Sequence, residues 1–286
     1  MAEQRKRFLH VTGDPIAQKP LPQNDNLTAA KGSQLMDDLV MGVRFFSRLP
    51  GGDRPHQVPN LSRMALALPF ASIVIGLIPA LILAGAAALG LPGLFAGALA
   101  VAAGVIITGA MAEDGLADAA DGLFGGNSVA RRLEIMKDSR HGTYGVAALC
   151  LLLLLRVAAL ARLAAIHPLI GAALWLAAMV LARSGALWLS VALPPARPDG
   201  ASAAAGQVTK RAYCAGGVFA LVLGFVLAAP FTGVVGLCAV LVLIGAVIFG
   251  STRLCRRLIG GQTGDLIGAL QALLEIAALT AFLVFA

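Results

Sequence analysis

Charge is what this sequence lacks. Only 13% of its 286 residues are Asp, Glu, Lys or Arg, against about a quarter in a soluble globular domain. With 58% hydrophobic residues and a mean hydropathy of +0.84, the composition excludes an ordinary soluble enzyme and predicts an all-α, polytopic integral membrane bundle. Cysteine is also scarce. The four residues Cys150, Cys214, Cys238 and Cys255 form no C-x-x-C or His/Cys pattern, which excludes a zinc site or a disulfide framework and leaves them as packing residues. The N-terminus lacks the sustained apolar stretch of a signal peptide after Arg5, Lys6 and Arg7. Residues 1–34 instead read as a mobile cytoplasmic tail, with residues 35–286 as the membrane domain. No extramembrane domain of any size is expected beyond the tail, and no 20–50-residue repeat is visible, which weakens an inverted-repeat transporter.

What is there is a series of apolar runs. A helix needs roughly 20 such residues to cross the hydrocarbon core, and seven candidates meet this at about 64–88, 93–112, 143–165, 168–193, 214–230, 232–250 and 266–286. The fifth and sixth are separated only by Pro230, Phe231 and Thr232, which predicts a tight hairpin. Ahead of the first, "LMDDLVMGVRFFSRLP" (35–50) reads either as an interfacial helix with Arg44 and Arg48 on lipid headgroups or as a solvated lead-in helix. Nearly all Lys and Arg fall in the N-terminal region and in loops 113–142, 194–213 and 251–265, while the connections near 89–92, 166–168 and 230–232 hold none. With seven spans every basic loop lies on one side. The positive-inside rule makes that side cytoplasmic and puts the C-terminus in the periplasm of an inner-membrane protein. The net charge of +7 is thereby accounted for by topology, without a nucleic-acid partner.

Chemistry must then reside in the cytoplasmic loops and the helix ends beside them. One stretch stands out: "MAEDGLADAADGLFGG" (111–126) comes after an uncharged run and holds Glu113, Asp114, Asp118 and Asp121. On a helix, Asp114, Asp118 and Asp121 stand at i, i+4 and i+7 and share one face within about 60°. Like charges at that spacing destabilise a helix, and partial burial raises the penalty. A divalent cation reverses the sign, and hard oxygen ligands suit Mg²⁺, with Mn²⁺ as an alternative. Such a metal can bridge a diphosphate and neutralise charge on its leaving group. Glu113, off the shared face, is an outer candidate ligand, and Gly125 and Gly126 leave room for a bulky substrate.

The next segment, "RRLEIMKDSRHGTYG" (131–145), supplies Arg131, Arg132, Lys137 and Arg140 as phosphate-binding candidates. Asp138 and Glu134 either add a metal ligand or pair with these arginines. Further on, "GGQTGD" (260–265) places Gln262, Thr263 and Asp265 at the start of the last span, where they suit anion binding or, for Asp265, helix capping. Within the spans, Arg156, Arg162, Arg183 and Glu275 are costly and are functional candidates for that reason. Arg183 is the strongest substrate-binding candidate, whereas Glu275 reads as an arginine's structural partner.

In this order, "EDGLADAADGLFGG" (113–126), "RRLEIMKDSRHGTYG" (131–145) and "GGQTGD" (260–265), with "RFFSRLP" (44–50) as a weaker sign, resemble the cobalamin-5'-phosphate synthase family over residues 35–286. The resemblance implies an inner-membrane, Mg²⁺-dependent transferase. It would join adenosylcobinamide-GDP to α-ribazole or its 5'-phosphate and release GMP. It implies that Asp114, Asp118 and Asp121 hold the metal on the diphosphate, that Lys137 and Arg140 neutralise phosphate oxygens, and that His141 is a candidate base. One departure stands out: the family commonly reads His-x-Asp-Gly where this chain has Ala112-Glu113-Asp114-Gly115, which leaves the base unassigned. Membrane lipid is the expected surroundings, and the small residues throughout the spans allow a homodimer.

Other readings are a CDP-alcohol phosphotransferase, a prenyltransferase and a cation-coupled transporter. The first needs an arginine where Ala119 and Ala120 stand, the second needs two Asp-rich motifs, and the third places its carboxylates near the bilayer midplane.

Overall fold

A computed structural model describes the backbone of residues 26–52, 59–138, 140–197 and 201–286, and side chains within these from residue 34 onward, those of 201 and 202 excepted. The tail assigned to residues 1–34 lies mostly outside the described residues. By its contacts the chain divides after Gln34, and Leu35–Ala286 form the helical bundle.

Among the described residues there is no strand, only one isolated bridge between Pro195 and Gln262. The helices are α1 (Asn26–Phe46), α2 (Leu61–Ala88), α3 (Gly93–Thr108), α4 (Met111–Gly125), α5 (Val129–Ile135), α6 (Thr143–Ile166), α7 (Pro168–Ala186), α8 (Trp188–Ala192), α9 (Ala201–Ala204), α10 (Lys210–Leu258) and α11 (Gly264–Phe285). Five are long and apolar enough to cross a membrane, or six if the bent pair α3–α4 counts as one span. Outward faces carry Leu154, Val226 and Val242, each at least 60% exposed, as expected where lipid is the solvent.

Local sequence explains the boundaries. The Asn60, Thr209 and Thr263 side chains cap α2, α10 and α11 by accepting from backbone N–H groups, while His167 caps α7 with Pro168 as its first residue. The 49-residue α10 is divided at Gly233 (φ 64°, ψ 179°), a conformation open to glycine. Gly224, before the break, packs on Leu181, while Ile244 and Ile248, after it, face Gly185. Both arms therefore flank the same end of α7, so the chain reverses at 230–233 as the sequence predicts, and counting the arms separately accommodates the expected crossings.

The expected span 93–112 is shorter than its apolar length suggests. α3 stops at Thr108. Gly109 (φ 66°) and Ala110 (φ 60°) then adopt successive left-handed conformations, and α4 departs at 86°. The first part of the segment expected to be a charged loop, 113–125, is consequently helix α4, largely buried at the bundle end that also holds α5 and the N-termini of α2, α6 and α11. α4 crosses α11 with backbones nearly touching. A Cβ on Gly115 would lie 2.9 Å from the Asp265 carbonyl oxygen and 3.3 Å from the Gly268 Cα, so only glycine permits this approach.

Candidate active site

α4 distributes its four acids in two directions. Asp121 is buried and accepts from the backbone N–H of Gly142 (2.6 Å) and Gly145 (2.9 Å). It thus satisfies two orphan donors at the start of α6, and any side chain on Gly145 would run into its carboxylate. Glu113 points into the bundle, where its Oε1 accepts from Arg156 Nη1 at 2.6 Å. Arg156 Nη2 reaches Glu275 (3.0 Å), and Glu275 also accepts from Trp175 Nε1 (2.8 Å). The expectation that Glu275 partners an arginine holds. Both of these acids tie α4 to α6, one at that helix's N-terminus and one near its middle.

In this arrangement one Glu113 oxygen is engaged by a buried guanidinium while its Oε2 has no hydrogen-bond partner, and both oxygens of Asp121 accept from amides. Asp114 and Asp118 remain, with Asp114 exposed and the Asp118 side chain 16% exposed. Asp118 Oδ1 lies 3.8 Å from His141 Nδ1. Burial pushes the Asp118 carboxyl up to about 6, helped by the negative charges of Asp114 and Asp265 and, more weakly, Asp121, with His141 opposing. Asp265, at the start of α11, is thus the acid that joins Asp114 and Asp118 electrostatically. Its Oδ2 accepts from Arg197 Nη2 (3.0 Å) and from Thr263 Oγ1 (3.2 Å).

The basic candidates separate in the same way. Arg132 is a clip: its Nε donates to the Leu123 carbonyl (3.3 Å) and its Nη1 to that of Leu258 (3.0 Å), tying α4, α5 and α10 together. Gly126 makes room for the Arg132 backbone, its Cβ position lying 2.9 Å from the Arg132 N, and not for a ligand. Gly125 is exposed. Arg131 pairs with Glu134 (2.8 Å). Arg140 holds Asp138 through two bonds of 3.0 and 2.7 Å, which keeps the Asp138 carboxyl down at about 2. Glu134 and Asp138 thus adopt the arginine-pairing alternative. Lys137 and His141 are exposed near Arg140 on the segment joining α5 to α6.

The "GGQTGD" turn is mostly structural. Gln262 donates its N–H to the Pro194 carbonyl (2.8 Å) and accepts from Ala196 N–H (2.8 Å), with its side chain fully buried. Thr263 caps α11. Arg183 is 3% exposed, with its guanidinium carbon 5.8 Å from the Phe46 ring centroid; it lines a small cavity with Glu113 and Glu275. The Arg44 side chain turns to the protein's own backbone, donating to the Gly51 and Gly52 carbonyls, while the backbone N–H of Arg48 donates to the Ile107 carbonyl (2.7 Å). Sequence reasoning misses Arg197. Its only signal is a basic residue in a loop where topology already accounts for basic residues.

Among the described residues, no group of three or more His, Cys, Asp or Glu stands close enough to hold a metal ion. Mg²⁺ needs no such cage, since it commonly takes one or two carboxylates and completes its shell with water and substrate phosphates. Asp114 and Asp118, one turn apart and all-oxygen, fit that mode, and the Asp118 carboxyl is raised first by burial and then by the charges of Asp114 and Asp265.

Residues 38–283 match the family described as cobalamin-5-phosphate synthase. A relative named adenosylcobinamide-GDP ribazoletransferase from Azorhizobium caulinodans is 48% identical over 258 residues, covering 89% of this chain and 98% of its own length. Proteins of the same name from Xanthobacter autotrophicus (48% identity, 88% and 97% coverage) and Mesorhizobium japonicum (42%, 89% and 95%) are similar throughout as well. No solved structure matches the chain.

Proposed function

The chain belongs to the cobalamin-5-phosphate synthase family, and from that membership we propose that it joins adenosylcobinamide-GDP to α-ribazole, or to its 5'-phosphate, with release of GMP. The observation that carries the reading is the convergence of Asp114 and Asp118 from α4 with Asp265 from α11 beside His141. This is an acidic mouth facing an anionic diphosphate, a pairing that requires a cation between them. Asp114 and Asp118 would hold Mg²⁺, or Mn²⁺ in its place. When bound, the ion neutralises diphosphate charge and eases departure of GMP.

The chain's own groups account for the rest. An oxygen of the acceptor attacks the cobinamide-side phosphorus, the P–O bond to the GMP phosphate breaks, and GMP leaves as the anion. When a ribazole hydroxyl attacks, its proton must go to a base. We assign this role to His141; its Nδ1 lies 3.8 Å from Asp118 Oδ1 and its side chain is 37% exposed, which supports the reading. We assign Lys137 and Arg140, on the same segment, to the phosphate oxygens, with Arg140 exchanging its Asp138 partner for substrate. Arg197 fixes the Asp265 carboxylate and so the third side of the mouth.

We assign the chain to the bacterial inner membrane with the mouth in the cytoplasm. The reversal at Gly233 supports this, because it returns the chain to the basic end and leaves the C-terminus opposite. The positive-inside rule then orients the whole bundle.

The test is incubation of the purified chain with adenosylcobinamide-GDP, α-ribazole and Mg²⁺. Formation of a cobalamin with one GMP per product is the expected result. No product from either the native chain or an Ala112→His variant overturns the reading.

A further inference from the structure

Beside the acidic mouth lies an apolar slot of about 70 Å³ between α1, α2, α4 and α11, and we infer that it is the subsite for a flat heteroaromatic base, the benzimidazole of the acceptor nucleoside. The inference rests on the transferase reading above, whose acceptor is a ribosylated benzimidazole.

Four observations carry it. The walls are Phe45, Phe46, Leu61 and Ile267, and the width comes from Ala112, Gly264 and Gly268, which bring little or no side chain. On the same measure a single water occupies about 10–15 Å³, so the slot admits a ring system and is far too small for a corrin. Second, the aromatic wall is rigid. The Phe45 and Phe46 rings meet edge to face at 4.9 Å, and the Arg183 guanidinium stands 5.8 Å from the Phe46 ring centroid, so a stacking surface exists before a ligand arrives.

Third, the slot opens at the chemistry. Met111, 41% exposed at its rim, is one helical turn before Asp114 and on the same face, and Gly264 immediately precedes Asp265. Fourth, one polar side chain lines it: Gln271. Among the described residues no hydrogen bond engages its amide. Gln271 lies seven residues after Gly264 on α11, about 10 Å along the axis. A bicyclic base reaching that amide therefore leaves its ribose at the mouth, where the attacking oxygen is required. The ring nitrogen not bonded to ribose is an acceptor, and the Gln271 amide N–H is the matching donor. Guanine, with several polar edges to satisfy, suits a slot with one amide poorly.

Uptake of α-ribazole by the purified full chain in detergent, without the corrinoid substrate, tests the slot by equilibrium dialysis. It is compared with uptake of ribosyl-indole, which lacks the acceptor nitrogen, and with competition by lauric acid. Ile267→Phe, which fills the slot, is expected to lower α-ribazole affinity at least tenfold. Gln271→Leu is expected to erase the preference for α-ribazole over ribosyl-indole while still binding both. Affinity for α-ribazole unchanged in both variants, or displacement of α-ribazole by lauric acid as strongly as by dimethylbenzimidazole, overturns the proposal. The two readings fail separately. A chain that binds the nucleoside as described yet forms no cobalamin keeps the slot and loses the reaction. A chain that forms cobalamin with a ribazole KM indifferent to both variants keeps the reaction and loses the slot.

Discussion

Glu113 and Asp118 sit five residues apart on one short helix, carry the same charge and meet opposite fates. Glu113 is 7% exposed and bonded to Arg156, which Glu275 holds from the far side while itself accepting from Trp175. Asp118 stands at an open mouth among other carboxylates, with a histidine at 3.8 Å and no guanidinium bonded to it among the described residues. Inside the bundle, neutralising partners are built in, because an unpaired charge away from water is prohibitively costly. At the mouth the repulsion is left standing, and a bound cation can relieve it. A row of acids therefore need not be one site: here half of the row anchors the helix that presents the other half.

The sharpest way to break the comparison is Asp118→Asn. It removes a mouth charge and leaves every helix-anchoring bond in place. Turnover is expected to fall at least a thousandfold while the thermal unfolding midpoint in detergent at neutral pH holds or rises, because a partly buried, repelled carboxylate is neutralised; appreciable retained activity would remove Asp118 from the chemistry. Arg156→Met should do the reverse. It strands two buried carboxylates, and breaking a buried pair from one side costs about 3–5 kcal/mol. The expected outcome is a large drop in the unfolding midpoint, with activity lost in proportion to folded protein. A stable but inactive Arg156→Met chain would place the buried cluster in the reaction itself.

A smaller effect concerns pH. The Asp118 carboxyl titrates at about 6 in the folded chain, above its ordinary value of 3.8. The folded state therefore binds a proton more tightly than the unfolded one, and this group's contribution to stability rises as pH falls from above 6 toward 3.8. A divalent cation needs the ionised form, so it competes with that proton. Mg²⁺ is expected to raise the unfolding midpoint at about pH 7.5, where the carboxyl is ionised, and to lose most of that effect at about pH 5, where it is protonated, measured on the same detergent-solubilised protein. An equal Mg²⁺ effect at both pH values would place the ion elsewhere.

The smallest effect is expected at the turn that creates the difference. Ala110 holds a left-handed conformation (φ 60°), which costs an L-residue about 1–2 kcal/mol. Ala110→Gly should stabilise the chain by about 1 kcal/mol in a denaturation midpoint, and a loss of stability would show that the methyl group's packing outweighs the strain.

Much of this is legible in the sequence because hydropathy and helical phase are local properties. The apolar runs mark the crossings, Pro230–Thr232 marks the reversal, and the i, i+4, i+7 spacing puts Asp114, Asp118 and Asp121 on one face. The turn after Thr108 is not legible, since Ala110 gives no sign of a positive φ and an uncharged run continues straight through it. Gly126 looks like a ligand contact in the sequence because a glycine that accommodates a neighbouring helix has the same letter as one that accommodates a substrate. Arg197 is invisible for a related reason: it becomes a partner of Asp265 only when residues 68 positions apart meet.

Composition, periodicity and charge placement are set residue by residue, and they suffice to make this a helical membrane protein with an acidic helix at its basic end. Which acids face the mouth, and which are consumed in holding it open, depends on packing. Helical phase says that side chains share a face; only the neighbours supplied by α6 and α11 say whether that face meets an amide, a guanidinium or open space.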